Sequence, residues 1–257
     1  MRRLAKRQAI ERMKQKVQGI VLRPPVRHSD RADILTVYSS EYGRLSVVVP
    51  AGGGRTVRQR KAAFMPLSLI EFNLPASNPT EGTLKRASDF SLLVAYRTLY
   101  FDPVKSSLAM FLSEFLNRLL RDSSPDPLMY RYLRDSIQLL DEMSERRLAN
   151  YHIAFLTGIS TFAGIAPDVS DYTSASLFDM ISGRYTTMPP AHRHTLTGVQ
   201  ARIPLMLARM NYANQHLFRF TRQQRKEILE GILRYFGLHF PGTDSNNSLD
   251  ILTSLFS

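Results

Sequence analysis

Apolar and polar positions follow two different rhythms along this chain. Up to about residue 90 they form short, β-branched, alternating runs: 17–23 (VQGIVLR), 34–38 (ILTVY), 45–49 (LSVVV), 67–74 (LSLIEFNL) and 83–87 (TLKRA). Runs of this kind, bounded by turn residues, predict five strands. Pro24-Pro25 is expected to end the first. Glu41-Tyr42-Gly43-Arg44 predicts a tight turn, with glycine where a left-handed backbone is needed. Five short strands with a long loop between the third and fourth suit a small Greek-key barrel of the OB type. Alternation by itself does not separate this from an SH3-like barrel.

From about residue 102 the period becomes helical. Asp102-Pro103 and Asp126-Pro127 each read as an N-cap followed by proline at the first helical position. Val104, Leu108, Phe111, Leu112, Phe115, Leu116, Leu119 and Leu120 trace one apolar face of the first helix. Leu128, Tyr132, Leu133, Ile137 and Leu140 do the same for a second, and 145–162 predicts a third with His152 on its apolar side. Residues 164–200 are irregular and rich in Gly, Pro, Ser and Thr. Helix resumes near Ile203. Thr221 and Gln224 form a capping box for a further helix that Gly237 is expected to stop, and 249–256 predicts a last one. The expected fold class is therefore α+β: an N-terminal five-stranded OB-type β-barrel followed by a larger all-α domain. The expected division is 1–16 as a flexible basic arm, 17–95 as a nucleic-acid-binding barrel, and 100–257 as a helical partner-binding domain with the irregular segment 164–200.

Composition narrows the chemistry. The 257 residues are 44% apolar and include no cysteine, which excludes disulfides, Cys-ligated zinc, iron–sulfur clusters and thiol catalysis. No apolar run reaches the roughly 20 residues that span a bilayer. Residues 1–16 are basic but have too few apolar positions for a signal peptide or a membrane-surface helix.

Charge changes the picture most. The chain carries 34 Lys/Arg against 22 Asp/Glu, yet residues 1–61 alone hold 15 against 4, a net of +11 out of +12. A charge excess packed into one segment is the electrostatic footprint of a polyanion partner. Gly52-Gly53-Gly54 is no Walker loop, because Lys61 is followed by Ala62 and then by a strand. Arg55, Arg58, Arg60 and Lys61 instead form a cationic loop with no acid among them, suited to a phosphate backbone. Arg23, Arg27, Arg31 and Arg44 lie at strand ends and in loops, and Tyr42 sits in the turn where a base could stack. His192 and His194 have chelating spacing but no nearby carboxylate in sequence, so no metal or other cofactor is expected. No nucleophile elbow or zinc-protease motif is present, and an enzymatic role is not expected.

Three stretches then carry a resemblance: 19–54 (GIVLRPPVRHSDRADILTVYSSEYGRLSVVVPAGGG), 61–74 (KAAFMPLSLIEFNL), and the pair FLTGISTFAGIAPD (155–168) and SLDILTSLF (248–256). In order and spacing the chain resembles the RecO family of bacterial recombination mediators across residues 17–257. The resemblance implies a non-enzymatic protein of the cytoplasm, associated with the nucleoid. Such a protein binds single- and double-stranded DNA through its barrel and anneals strands. It acts with a RecR-like partner, grips the acidic, apolar C-terminal tail of single-strand-binding protein, and helps load recombinase on gaps. It implies no membrane partner. Arg118, Arg121, Arg131 and Arg134 flank the first two helices and are candidates to rim a pocket for that tail. One departure stands out. Many members hold a four-cysteine zinc site where residues 168–195 have no cysteine, so either packing around Phe178, Met180 and Tyr185 holds this segment or it is loose. The alternative function left open is an RNA-binding OB-fold protein with a helical interaction domain.

Overall fold

The computed structural model describes residues 14–51, 63–75 and 84–245. Among these the chain falls into two compact units, one within Met1–Arg97 and Leu119–Ile137, the other within Thr98–Arg118 and Gln138–Ser257.

The first unit is built on a sheet of β1 (Lys14–Ser29), β2 (Ala32–Ser39), β3 (Gly43–Pro50), β4 (Leu69–Pro75), β5 (Lys85–Arg86) and β6 (Ser88–Leu92). The strand order is β5-β3-β2-β1-β4-β6, antiparallel except that β5 runs parallel to β3. Alternation puts Val17, Val21, Leu35, Val37, Val47, Val49, Ile70, Phe72 and Leu74 on one face, where they form a buried core. Phe72 and Phe64 both pack on Phe90 within it. Gly43 takes the expected left-handed backbone, at φ +62°, in the β2–β3 turn.

Two differences from the sequence pattern have local causes. β1 begins at Lys14, inside the predicted arm, and runs on through Pro24-Pro25. Its register with β2 slips between Arg23 and Val26, and its pairing with β4 stops at Ile20. The prolines thus sit where β1 has a single neighbour and a bulge, and their missing N–H groups break no ladder. Six strands stand where five were expected, because beyond the predicted 83–87 run, after Ala87, the chain enters a further strand. Lys85–Arg86 pairs with β3 and Ser88–Leu92 with β4. Ala87 is buried, and its N–H donates to the Val48 carbonyl at 3.1 Å.

The second unit is mainly helical. Its helices are α1 (Pro103–Leu119), α2 (Pro127–Glu142, whose first turns belong to the first unit), α3 (Tyr151–Phe162), α4 (Arg202–Leu207) and α5 (Arg222–His239). Asp102 Oδ1 accepts from the N–H groups of Val104 and Lys105, and Asp126 Oδ1 from those of Leu128 and Met129, so both predicted caps form. The Thr221–Gln224 capping box closes reciprocally at the start of α5. The predicted third helix divides into a 3-10 turn at Glu145–Arg147 and α3. Asn150, buried between them, donates to the carbonyls of Gln215 and Phe218 and accepts from Arg225. Gly237 does not stop α5, which runs to His239. A side chain there would meet the Asp244 Cβ at 2.6 Å, so the glycine admits a close approach by the following turn. The helix predicted at 249–256 lies outside the described residues.

The expectation of an all-α domain needs correction. Within the irregular segment, β7 (Leu177–Asp179), β8 (Arg184–Thr186) and β9 (Thr195–Leu196) form a three-stranded sheet in the order β8-β7-β9. Gly183, at φ +68°, makes the β7–β8 turn. Phe178, Met180 and Tyr185 are buried with Ala201 and Tyr235 in a single apolar cluster. Packing therefore holds the segment that has no cysteine. The strands were missed because each is three residues or fewer, too short to establish a period of two.

Candidate nucleic-acid interface

The face of β1–β3 opposite the core carries two of the predicted arginines, Arg23 and Arg44. On β2, Thr36 and Tyr38 point this way. Arg23 of β1 pairs with Thr36, and Arg44 of β3 pairs with Tyr38. The two arginines therefore flank β2 on its outer face.

The centre of that face is covered by residues of Leu119–Ile137, which belong to the same unit. The Tyr38 ring lies 6.5 Å from that of Tyr130. Burial, with the Asp126 carboxylate nearby, pushes the Tyr38 hydroxyl up to about 12. A side chain on Gly43 would come within 3.0 Å of the Ser123 carbonyl, so the β2–β3 turn rests directly on this backbone. The same packing brings Arg121 and Asp122 beside Arg44. Burial lowers the Arg44 guanidinium from its usual value; Arg121 and Arg23 lower it further, and Asp122 opposes them.

Arg27 and Arg31 sit at the far end of the β1–β2 hairpin, both exposed. Arg27 reaches the Asp30 carboxylate at 3.6 Å and its carbonyl at 3.3 Å. Among the described residues no carboxylate ion-pairs with Arg23, Arg31 or Arg86. Tyr42 is half-buried. Its hydroxyl bonds to Gln15 Oε1, and Lys85 Nζ stands 4.6 Å from its ring centroid. A cation over the ring stabilises the pair by about 0.5–1 kcal/mol when exposed, and occupies a surface that a base would otherwise use. Arg55, Arg58, Arg60 and Lys61 lie outside the described residues.

The four arginines expected to rim a partner pocket divide between the units: Arg118 belongs to the second, and Arg121, Arg131 and Arg134 to the first. Arg118 is committed to Glu114 at 2.8 Å and to the Gly242 carbonyl, and Arg134 to Asp135. Arg121 and Arg131 are exposed. Sequence reasoning passed over Lys85 and Arg86, which β5 places at the edge of β3. Their signal was a Lys-Arg pair inside a predicted strand.

The second unit holds an apolar cavity of about 660 Å3 between α3, α4 and α5. Leu156, Phe178, Leu207, Ile228 and Ile232 line it, with Glu227, Glu230 and Arg234 as its charged residues. His152 is buried on α3. Burial, with Arg225 nearby, pushes its ring down to about 3. His192 pairs with Asp179 at 3.2 Å, and no cluster of three metal-ligating side chains occurs among the described residues.

Comparison with known proteins decides the family. The family model described as "Recombination protein O C terminal" matches residues 100–246. The DNA repair protein RecO of Phocaeicola vulgatus is 38% identical over 248 residues, covering 95% of this chain and all of that protein. RecO of Azobacteroides pseudotrichonymphae is 34% identical over 90% of this chain and 95% of its own length. RecO of Bacteroides fragilis is 35% identical over 95% of this chain and the whole of its own. The chain belongs to the RecO family. Within this chain, the matched C-terminal region includes α1 to α5 and the small sheet. The arginine-bearing sheet lies outside that match, but inside the span shared with the Phocaeicola and Bacteroides relatives, which takes in 95% of the chain. Among the described residues no helix is long and apolar enough to cross a membrane.

Proposed function

We propose that this chain is a non-enzymatic DNA repair and recombination mediator of the cytoplasm, associated with the nucleoid. Its sheet unit binds single- and double-stranded DNA, anneals complementary strands and helps load recombinase on gaps coated by single-strand-binding protein. The observation that carries this reading is a pair of exposed arginines, Arg23 on the outer face of β1 and Arg31 in the β1–β2 turn, both without a carboxylate partner among the described residues in a chain of this family. Unneutralised arginines on a rigid sheet suit phosphate contacts, which position a strand without reading its sequence.

The sheet is read as an OB-type barrel. Supporting this, two consecutive pieces of chain, β5 and β6, pair with β3 and β4, the strands next to the two ends of the order. The cationic loop bearing Arg55, Arg58, Arg60 and Lys61 extends the DNA surface, with Arg27, Arg44 and Tyr42 as further contacts. The helical unit takes the protein partners, a RecR-like protein and the acidic, apolar tail of single-strand-binding protein. Its apolar cavity, with Arg234 in the lining, supports the tail assignment.

Two measurements test the reading. Titration of a labelled single-stranded oligonucleotide should show affinity falling with salt at a slope near 0.7 per neutralised phosphate. Reversing Arg55, Arg58, Arg60 and Lys61 to glutamate should weaken binding to every sequence and flatten that slope. Second, the protein should anneal complementary strands already coated with single-strand-binding protein. Tighter binding to a matched RNA, with no annealing of DNA, would overturn the mediator reading in favour of an RNA-binding role.

A further inference from the structure

The turn after α1 is packed against the sheet. Leu120–Ser123 is held tightly: Ser123 donates to the Leu120 carbonyl through its backbone N–H at 3.4 Å and through its hydroxyl at 3.1 Å. The next residues pack on the β2–β3 turn, where a Cβ on Gly43 would lie 3.0 Å from the Ser123 carbonyl and 3.2 Å from the Pro125 nitrogen. Two fixed pieces of backbone therefore meet one residue before Arg44 and two residues after Arg121. Arg23 completes the group from β1, one step along the outer face of β2. Arg44 is half-buried, whereas Arg23 and Arg121 are exposed.

Arg23 and Arg121 form no ion pair with a carboxylate among the described residues. Both repel the Arg44 guanidinium, which Asp122 attracts. Like charges held close on fixed backbone cost the fold free energy. An arriving anion reverses the sign of that interaction. Guanidinium groups present rigid forks that match phosphate oxygens two at a time. Here they stand on strands and a pinned turn, so little ordering remains to be done on binding.

We propose that Arg121 joins Arg23 and Arg44 in one phosphate-binding site on the outer face of the sheet, and that its ligand is a backbone phosphate of a nucleic-acid strand. The proposal rests on the reading of the sheet unit as the DNA surface. It moves Arg121 from the expected partner pocket to that surface. The segment that covers the sheet is thereby part of the interface as well as part of the core.

The test uses the full chain and a labelled oligo-dT. Arg121→Ala should weaken binding roughly three- to tenfold and lower the salt slope by about 0.7, the signature of one lost phosphate contact. Arg23→Ala should do the same, and Arg121→Lys should lose less affinity while keeping the slope. Arg146→Ala removes an equal charge from the second unit and should leave the slope alone. Sodium phosphate or a mononucleotide, at matched ionic strength, should displace the strand no better than chloride.

Unchanged affinity and slope in Arg121→Ala would overturn the site. So would an equal loss in Arg146→Ala, which would mean that net charge alone matters. Displacement by free phosphate would overturn the strand as ligand. If Arg121→Ala melts early, Arg121→Gln, which keeps the length and polarity, replaces it. Failure here is separable from failure of the wider reading: binding by the parent chain with no salt dependence would remove the DNA surface as a whole. A salt-dependent parent with an indifferent Arg121 removes only this site.

Discussion

The sheet unit and the helical unit treat charge in opposite ways. In the helical unit a lysine is taken inside and fully occupied: Lys105, 3% exposed, donates to Thr98 Oγ1 and to the Asp141 carbonyl, each at 2.7 Å. The Asp141 carboxylate in turn accepts from the N–H groups of Thr98 and Leu99, each at 2.7 Å. In the sheet unit Arg23 and Arg31 are left at the surface without a carboxylate among the described residues. A buried polar group must be satisfied or it destabilises the fold, whereas an exposed cation costs little and remains available. The contrast separates residues that hold the protein together from residues free to bind something else.

The largest expected effect lies on the buried side. Asp141→Ala would strand the Thr98 and Leu99 backbone donors, while Lys105 keeps the main-chain carbonyl of residue 141; the loss in urea unfolding should be about 1–3 kcal/mol for each stranded donor. Phe178→Ala should cost a similar amount, about 3–5 kcal/mol, by opening a cavity in the cluster that holds the small sheet. Because apolar packing holds that sheet, a strong chelator should leave the melting temperature unchanged. A chelator-induced drop would show that packing is not what holds it.

Acid sharpens the comparison further. His152 has its ring pushed down to about 3 by burial, with Arg225 adding to the effect, so it stays neutral in the fold at moderate acidity. The unfolded chain takes up this proton below about pH 6.5. Between those limits the unfolded state binds more protons, so stability falls as pH falls, by at most about 1.4 kcal/mol per pH unit. Above that window the group has no effect. His152→Phe should flatten the slope between pH 6 and 4 in pH-dependent melting; an unaltered slope would mean that other groups set it. A smaller effect is expected at the start of α5. Thr221→Ala removes one half of the capping box and should cost about 1 kcal/mol, read by urea unfolding.

Much of this was legible in the sequence, and where it was not there is a physical reason. The caps at Asp102, Asp126 and Thr221 are local, set by side chains two or three residues from the N–H groups they accept from, so the text alone showed them. The four principal strands were visible for the same reason. The strand after Ala87 was not, because β5 and β6 depend on β3 and β4 each drawing one piece of the chain. The candidate site was half legible. Composition marked Arg23 and Arg44, but nothing along the chain announces that Arg121, about eighty residues further on, stands beside them. Helical periodicity assigned Arg121 to a partner-facing helix; tertiary packing took its turn to the sheet.

The smallest effect on stability is the one that tests the contrast most directly. Arg23→Ala should change unfolding free energy by no more than about 0.5 kcal/mol, because Arg23 is exposed and no ion pair is lost. If anything, relieving the repulsion it exerts on Arg44 should move stability slightly upward. The same substitution should weaken DNA binding severalfold in the salt titration. Asp141→Ala should do the reverse, lowering stability while the binding slope of the remaining folded protein is preserved. A stability loss from Arg23→Ala comparable to that from Asp141→Ala would make Arg23 a structural residue, and the division between groups that fold the chain and groups left free for a phosphate would no longer hold.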